Sequence, residues 1–505
     1  MAVPAAATLA LSGCGFAGSS PASSSTKTDQ RIVIDNNFTP KSSFALETDD
    51  ALILSQAGCL ETLARYDTTT GALKPMLATS WKQTTPTEWD FTLRAGVKFQ
   101  DGTALDATVV ADDLNHVLKA TTPPRAFTPK VISSVQALDS STVRVSTPKP
   151  SSLLPYRLAS ANTGILSPKA YSGETINPTK ACTGPFTPVN YVAKQSLTLD
   201  RNGAYWGGKA ALAGAEMRFL PDGQTRVTQA QTGEAQIALT IPSSSLATLK
   251  SNADVKVSSV ELPRTTSLYL NTKKAPFTNV KVRQAIQAAI DTKAIASGIY
   301  NGAASAAVGP FAATEAWAPK GAQTVTANLD RAKSLFTEAG VDPASVKVQL
   351  LAYTERPELA DLAAVVQDDL KKLGVQASIK VTNYAAIEPD LLAGNFDMLL
   401  LSRSHLTDIA DPVGFLASDY SCTGTFNLSH FCDQSVDAQI TQAAGTADDK
   451  TRYGLYAQVA AQLQEQAVDV FLVNERGLDA TRAGVKNYVQ DPLARYALTA
   501  DLNLS

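Results

Sequence analysis

Between residues 346 and 381 the apolar side chains change period twice. Val346, Val348 and Leu350 alternate with polar neighbours. Leu359, Leu362, Val366, Leu370 and Leu373 then share one helical face that stops at Gly374, and Val375, Ala377, Ile379 and Val381 alternate again. Period 2, then 3.6, then 2 is a βαβ unit, whose two strands lie parallel with a right-handed crossover. Phe396 to Leu401 reads as a further strand of the same sheet, buried on both faces. The chain is therefore α/β, and all-helical or purely antiparallel folds are excluded for this half.

The same grammar extends on either side. Val282, Ile286, Ala289, Ile290 and Ile295 predict one helix capped by Asn279. A long helix near 448–467 carries Tyr453, Tyr456, Val459, Ala460 and Leu463 at helical spacing. These stripes are core faces rather than cofactor contacts. The first third is richer in strands: Arg31–Asp35, the alternating Trp89, Phe91 and Leu93, a turn at Asp101-Gly102, and Thr142–Val145. Helices are predicted at about 51–65 and 107–119. A chain of 505 residues should divide into two or three domains.

Forty-four basic and 47 acidic residues give a net charge of −3, without a block of either sign, which disfavours nucleic acid or an anionic membrane as the main partner. No run after Cys14 approaches the ~20 apolar residues that span a bilayer. Leu11-Ser12-Gly13-Cys14 forms a lipobox-like signal, although no Lys or Arg precedes it, and Gly18 to Thr26 is a polar, Ser-rich tether. Residues 1–14 are read as a lipoprotein signal segment with Cys14 lipidated, and 15–29 as a flexible tether. The body would then work outside the cytoplasm, anchored by lipid alone. In that oxidising setting Cys59, Cys182, Cys422 and Cys432 make an even set with three connectivities. The favoured one closes the short loop Cys422–Cys432 and pairs Cys59 with Cys182; another pairing or buried free thiols stay open. No CxxC pair exists and there are only three histidines, so zinc is disfavoured and no metal site or cofactor is expected. Gly13 to Gly18 matches GxGxxG without a preceding strand, and Walker A, HExxH and GxSxG patterns are missing.

From Thr183-Gly184-Pro185-Phe186 through Gln195–Leu199, Arg201-Asn202, Tyr205-Trp206 and Arg226–Ile237, the order of residues becomes specific. Glu61-Thr62-Leu63, Leu77–Trp81, Leu93–Phe99 before Asp101-Gly102, and Val282–Ile286 with Ala289–Asp291 agree with it. From about residue 30 onward the chain closely resembles the extracytoplasmic solute-binding proteins of family 5, the peptide, nickel and opine class that feeds ABC importers. The resemblance implies a periplasmic-binding-protein type II-like fold of two lobes with an extra inserted subdomain (cluster C type). By it, residues 30–60, 180–265 and 475–505 form lobe I, 61–179 the inserted subdomain, and 270–474 lobe II. A monomer is expected, acting with membrane permease subunits and without enzymatic activity.

The ligand is expected where Phe396–Leu401 runs into Ser402–Pro412, because such sheets bind at strand ends. By the resemblance, Asp408 matches the carboxylate that receives a peptide's α-ammonium, and Ser404 and Leu406 are candidates for a main-chain ladder with the peptide. His405 stands where many peptide binders have tryptophan. Arg403 could meet a ligand carboxylate or form a protein salt bridge, and Trp317 could reach the cleft or simply pack. An oligopeptide is the favoured solute. An opine, a sugar or a metal chelate would suit the same fold, and a secreted hydrolase or a signalling scaffold is the reading from another class.

Overall fold

The computed structural model describes residues 30–68, 70–406 and 409–505. Cys14, the tether and Asp408 thus lie outside the described residues. The organising feature is a mixed sheet of eleven strands. In order these are Gln376–Thr382, Lys347–Tyr353, Met398–Ser404, Val255–Leu270, Asp469–Arg482, Ile237–Ala238, Arg31–Asn36, Gly214–Phe219, Ser196–Arg201 and Phe186–Val192, with Ala304–Ala306 also paired to Asp469–Arg482. The predicted βαβ unit is present: Lys347–Tyr353 pairs in parallel with Gln376–Thr382, joined by the helix Glu358–Leu373, which ends on Gly374 at φ 99°. Only a residue without Cβ adopts that left-handed conformation freely.

Two long antiparallel strands, Val255–Leu270 and Asp469–Arg482, join the two lobes. Their ladder breaks between Glu261 and Thr265, a stretch that contains Pro263. Proline has no N–H to donate, so the pairing is interrupted where the chain passes from one lobe to the other. Each lobe has its own apolar core. Ile34, Phe186, Leu197 and Met217 belong to the first, and Leu350, Leu370, Leu399 and Leu472 to the second. A small antiparallel sheet of Ala78–Thr85, Glu88–Leu93, Thr142–Ser146 and Ser134–Ala137 packs with the helix Ala107–Leu118 and shares the first core.

Two helix predictions need correction. The stripe through Ile295 is two helices, Val280–Ala289 capped by Asn279 and Thr292–Gly298 capped by Asp291. Ile290 is extended at ψ 126°, and the Asp291 carboxylate accepts the amides of Lys293 and Ala294, so a second N-cap interrupts the periodicity. The helix expected over 51–65 covers only Asp50–Gln56, and Ala64–Asp67 is a strand. Gly58 at φ 63° turns the chain between them. Both favoured disulfides are formed, Cys59–Cys182 across 123 residues and Cys422–Cys432 across 10.

The motifs that carry the family resemblance are largely structural. Arg283, buried on the helix Val280–Ala289, donates to the carbonyls of Phe277, Gln466 and Ala467, tying that helix to the end of Asp449–Glu465. Gly184 is obligatory: a Cβ there would lie 2.4 Å from the Gly58 carbonyl oxygen and 2.5 Å from that of Cys59.

Candidate ligand-binding site

A third apolar cluster lies between the lobes. Tyr66, Ala126, Leu153 and Tyr156 on one side meet Phe311, Trp317, Leu406, Phe415 and Tyr456 on the other. The strand Met398–Ser404 enters this region because it pairs with the interlobe strand, Arg264 opposite Ser404, and the His405 amide continues the ladder to the Pro263 carbonyl at 3.0 Å. Successive amides of a strand face opposite edges, so that bond turns the Ser404 amide toward the edge away from Val255–Leu270.

The predicted site residues meet different fates there. Arg403 forms a bidentate pair with Asp419, Nε to Oδ2 at 2.7 Å and Nη2 to Oδ1 at 2.9 Å, and lies over the Phe426 ring. His405 is 3% exposed, and its Nε2 is hydrogen-bonded to Glu315 Oε1 at 2.6 Å. Its ring is walled by Phe311, Phe415 and Trp317, with centroids 5.0, 5.9 and 6.4 Å away. Trp317 also packs on Tyr453, and its Nε1, like His405 Nδ1, has no hydrogen-bond partner among the described residues. Leu406 is buried in the interlobe cluster.

Below this wall, Glu475 accepts from Thr266 Oγ1 and Ser402 Oγ, both at 2.6 Å, and from Arg356 at 2.7 Å. Burial pushes the Glu475 carboxyl up, but the Arg356 and Arg264 guanidiniums outweigh it and hold it below the ordinary value. Beside the wall, Asp411 receives Tyr456 Oη at 2.6 Å, the Val413 amide at 2.9 Å and Arg452 Nε at 3.0 Å. Arg452 also reaches the Tyr156 hydroxyl of the facing lobe at 3.4 Å. The Asp-Pro turn is thus fixed by a buried network that touches both lobes.

Arg403, Ser404, His405, Ile409, Asp411 and Phe415 line one side of a cavity of about 20 Å³, and Arg125 reaches it from the turn after the helix Ala107–Leu118. That volume holds about one water. A larger open groove of about 410 Å³ runs between Gln83–Pro86, Pro150–Ser152 and Gly445–Ala447, but it carries neither charged nor aromatic side chains and is the poorer candidate. Three of the predicted residues, Arg403, Ser404 and His405, therefore share one cavity, while Trp317 and Leu406 belong to the aromatic and apolar wall behind it. Arg125 and Glu315 were missed. Nothing in Pro123-Pro124-Arg125 or Glu315-Ala316-Trp317 marks them in sequence, because only tertiary packing brings them here.

Comparison with known proteins fits this architecture. Residues 72–427 match the model of the bacterial extracellular solute-binding proteins, family 5. The chain is 28% identical to heme-binding protein A of Haemophilus influenzae, covering 98% of both proteins, and 26% identical to the dipeptide-binding protein of Escherichia coli, covering 86% of this chain and 87% of that one. The crystal structure of the nickel ABC transporter from Bacillus halodurans superposes with a TM-score of 0.83 at 27% identity, covering 94% of this chain and 100% of that one. Among the described residues no helix is long and apolar enough to cross a membrane. With two lobes joined by long strands and a polar cavity between them, the chain belongs to the family 5 bacterial extracellular solute-binding proteins, the extracytoplasmic substrate-binding components of ABC importers.

Proposed function

We propose that the solute is an oligopeptide, taken between the lobes at the end of Met398–Ser404 and handed to the permease by a protein held at the membrane through a lipid on Cys14. The observation that carries this reading is that the strand Met398–Ser404 ends beside the cavity, since an extended peptide adds to a strand through main-chain bonds and is held with little regard to its side chains. The dipeptide-binding relative supports it. Asp408 would receive the peptide ammonium, Ser404 and Leu406 would offer backbone groups, and His405 and Trp317 would form the wall. The present cavity is far too small for a peptide, so the lobes must part to admit one and close over it.

A metal chelate is the second reading. His405 gives one ring nitrogen to a carboxylate and leaves the other without a partner, the arrangement by which proteins orient a metal-binding imidazole, and relatives are named for heme and nickel.

Native mass spectrometry of protein lacking residues 1–14, purified without refolding, would identify carried solute, and a thermal-shift screen against a tripeptide library would test the class. A bound peptide at a hundredfold excess over Kd stabilises by about 2.7 kcal/mol. Asp408→Asn should weaken peptide binding by about 2 kcal/mol or more. A flat library response together with a carried metal chelate would replace the first reading by the second.

A further inference from the structure

We propose that Cys422–Cys432 is a thiol–disulfide exchange site, opened at Cys432 by a dithiol from solution, and that its redox state sets how firmly the cavity wall is held; its effect on the solute rests on the cleft reading above. The two disulfides stand in opposite surroundings. Cys59 and Cys182 are both wholly buried, whereas Cys432 is exposed and Cys422 half-buried. An attacking thiolate must reach one of the sulfurs, so access separates inert disulfides from labile ones. Gln434, also exposed, attends the second pair: its Nε2 donates to Cys422 Sγ at 3.4 Å and lies 3.9 Å from Cys432 Sγ. One thiolate of the dithiol attacks Cys432 Sγ, the Sγ–Sγ bond breaks, and Cys422 leaves with the electron pair, stabilised by the Gln434 donor until solvent protonates it. The second thiolate then attacks its own partner sulfur in the mixed disulfide and releases Cys432, which is protonated in turn. The dithiol gives up two electrons and two protons and becomes a disulfide.

The loop closed by this bond backs the cavity. Phe426 lies under the Arg403 guanidinium at 4.3 Å, and its amide donates to the Ser418 carbonyl at 3.0 Å; Arg403 and Ser418 both line the cavity. Gly424 sits against the same carbonyl, where a Cβ would come within 2.3 Å of the oxygen. At the far end of the loop Phe431 joins the interlobe apolar cluster, and the Ser429 hydroxyl donates to Asp469 on an interlobe strand. Asn427 spans the neck independently of the sulfurs, its Nδ2 donating to the Ser421 carbonyl at 2.9 Å and the Phe431 carbonyl at 2.6 Å. Reduction therefore loosens the loop without releasing it. A loosened wall must be ordered again when solute binds, which weakens binding, and by linkage a bound solute protects the disulfide by the same factor.

The test titrates the full folded chain with dithiothreitol, traps free thiols with iodoacetamide and locates them by peptide mass spectrometry, with Cys59–Cys182 as the internal control. Cys422 and Cys432 should open at about a tenfold lower dithiol concentration than Cys59 and Cys182, and Gln434→Ala should slow that opening about threefold with an unchanged melting temperature. Hydrogen exchange at the amides of residues 418–428 should then quicken about fivefold in a chain that remains folded. Reduction should weaken binding of a tripeptide mixture about threefold, reoxidation should restore it, and the double variant Cys422→Ser with Cys432→Ser should bind as the reduced form does and ignore the dithiol. Simultaneous opening of both disulfides, or no opening short of unfolding, overturns the exchange site. Selective opening with unchanged hydrogen exchange and unchanged tripeptide affinity overturns its hold on the wall and leaves the peptide reading intact. If tripeptides bind neither form, the peptide reading fails, and native mass spectrometry decides: a carried solute shed on reduction upholds the coupling, and a solute retained, or none in the oxidised protein, ends it.

Discussion

Trp206 Nε1 donates to Glu61 Oε2 at 2.8 Å, deep in the first lobe, where Thr183 Oγ1 reaches the same oxygen and Tyr205 Oη the other, each also at 2.8 Å. Three stretches far apart in sequence thus converge on one buried carboxylate. Burial pushes the Glu61 carboxyl up, and the three donors oppose it without fully cancelling it. Glu61→Leu leaves all three donors without an acceptor and should destabilise by about 3 kcal/mol or more in urea denaturation. A loss under about 1 kcal/mol would show that the donors find other partners.

This convergence explains how much of the molecule is legible in the chain. Periodicity reveals Glu358–Leu373 and its flanking strands because each element buries one face locally, and Cys422–Cys432 because the loop is short. Glu61, Thr183, Tyr205 and Trp206 are visible as motifs, yet their common purpose is not, since no local rule joins position 61 to position 206. The cavity is less legible still. Arg403, Ser404 and His405 follow from a strand end, whereas Arg125 and Glu315 arrive by tertiary packing alone. The split at Ile290 was hidden because Ile290 and Ile295 prolong the apolar run, although Ile295 falls about half a turn off the stripe of Val282 and Ile286 and Asp291 is itself an N-cap residue type.

Asp469 should make stability depend on pH. It is wholly buried at the start of an interlobe strand, receives Tyr420 Oη at 2.8 Å and the Ser429 hydroxyl, and burial raises its pKa to about 7. Between the unfolded value of about 4 and this folded value, the native state binds a proton that the unfolded state releases, so stability falls as pH rises. The contribution is complete below about pH 4 and gone above about pH 7, a span of roughly 4 kcal/mol at most. Asp469→Asn removes it. The stability of wild type relative to the variant should therefore decline from pH 4 to pH 7 and then level off; a constant difference would mean that Asp469 is ionised throughout.

The two disulfides should differ in worth. Loop-closure entropy gives about 5 kcal/mol for a loop the size of Cys59–Cys182 and about 3 kcal/mol for one the size of Cys422–Cys432. Replacing each pair by alanine and comparing denaturant midpoints with intact slopes would measure both. The order should be kept even if residual unfolded structure lowers the absolute values. A reversed order would place the main constraint on the loop that follows the helix Val413–Tyr420 rather than on the Cys59–Cys182 staple next to Gly184.

Arg403 and Asp419 provide the sharpest separation of structure from binding. The Asp419 side chain is fully buried and its carboxylate is gripped by both arms of Arg403, so Arg403→Met strands a buried charge and should destabilise by about 3–5 kcal/mol. Adding Asp419→Asn removes the stranded charge and should restore most of that loss, because the penalty comes from the widowed partner and not from a missing attraction. Solute affinity, measured on the stable double variant, should change by less than about a factor of three, as the guanidinium is occupied within the protein. An Arg403→Met variant of undiminished stability that fails to bind solute would instead put this guanidinium on the ligand.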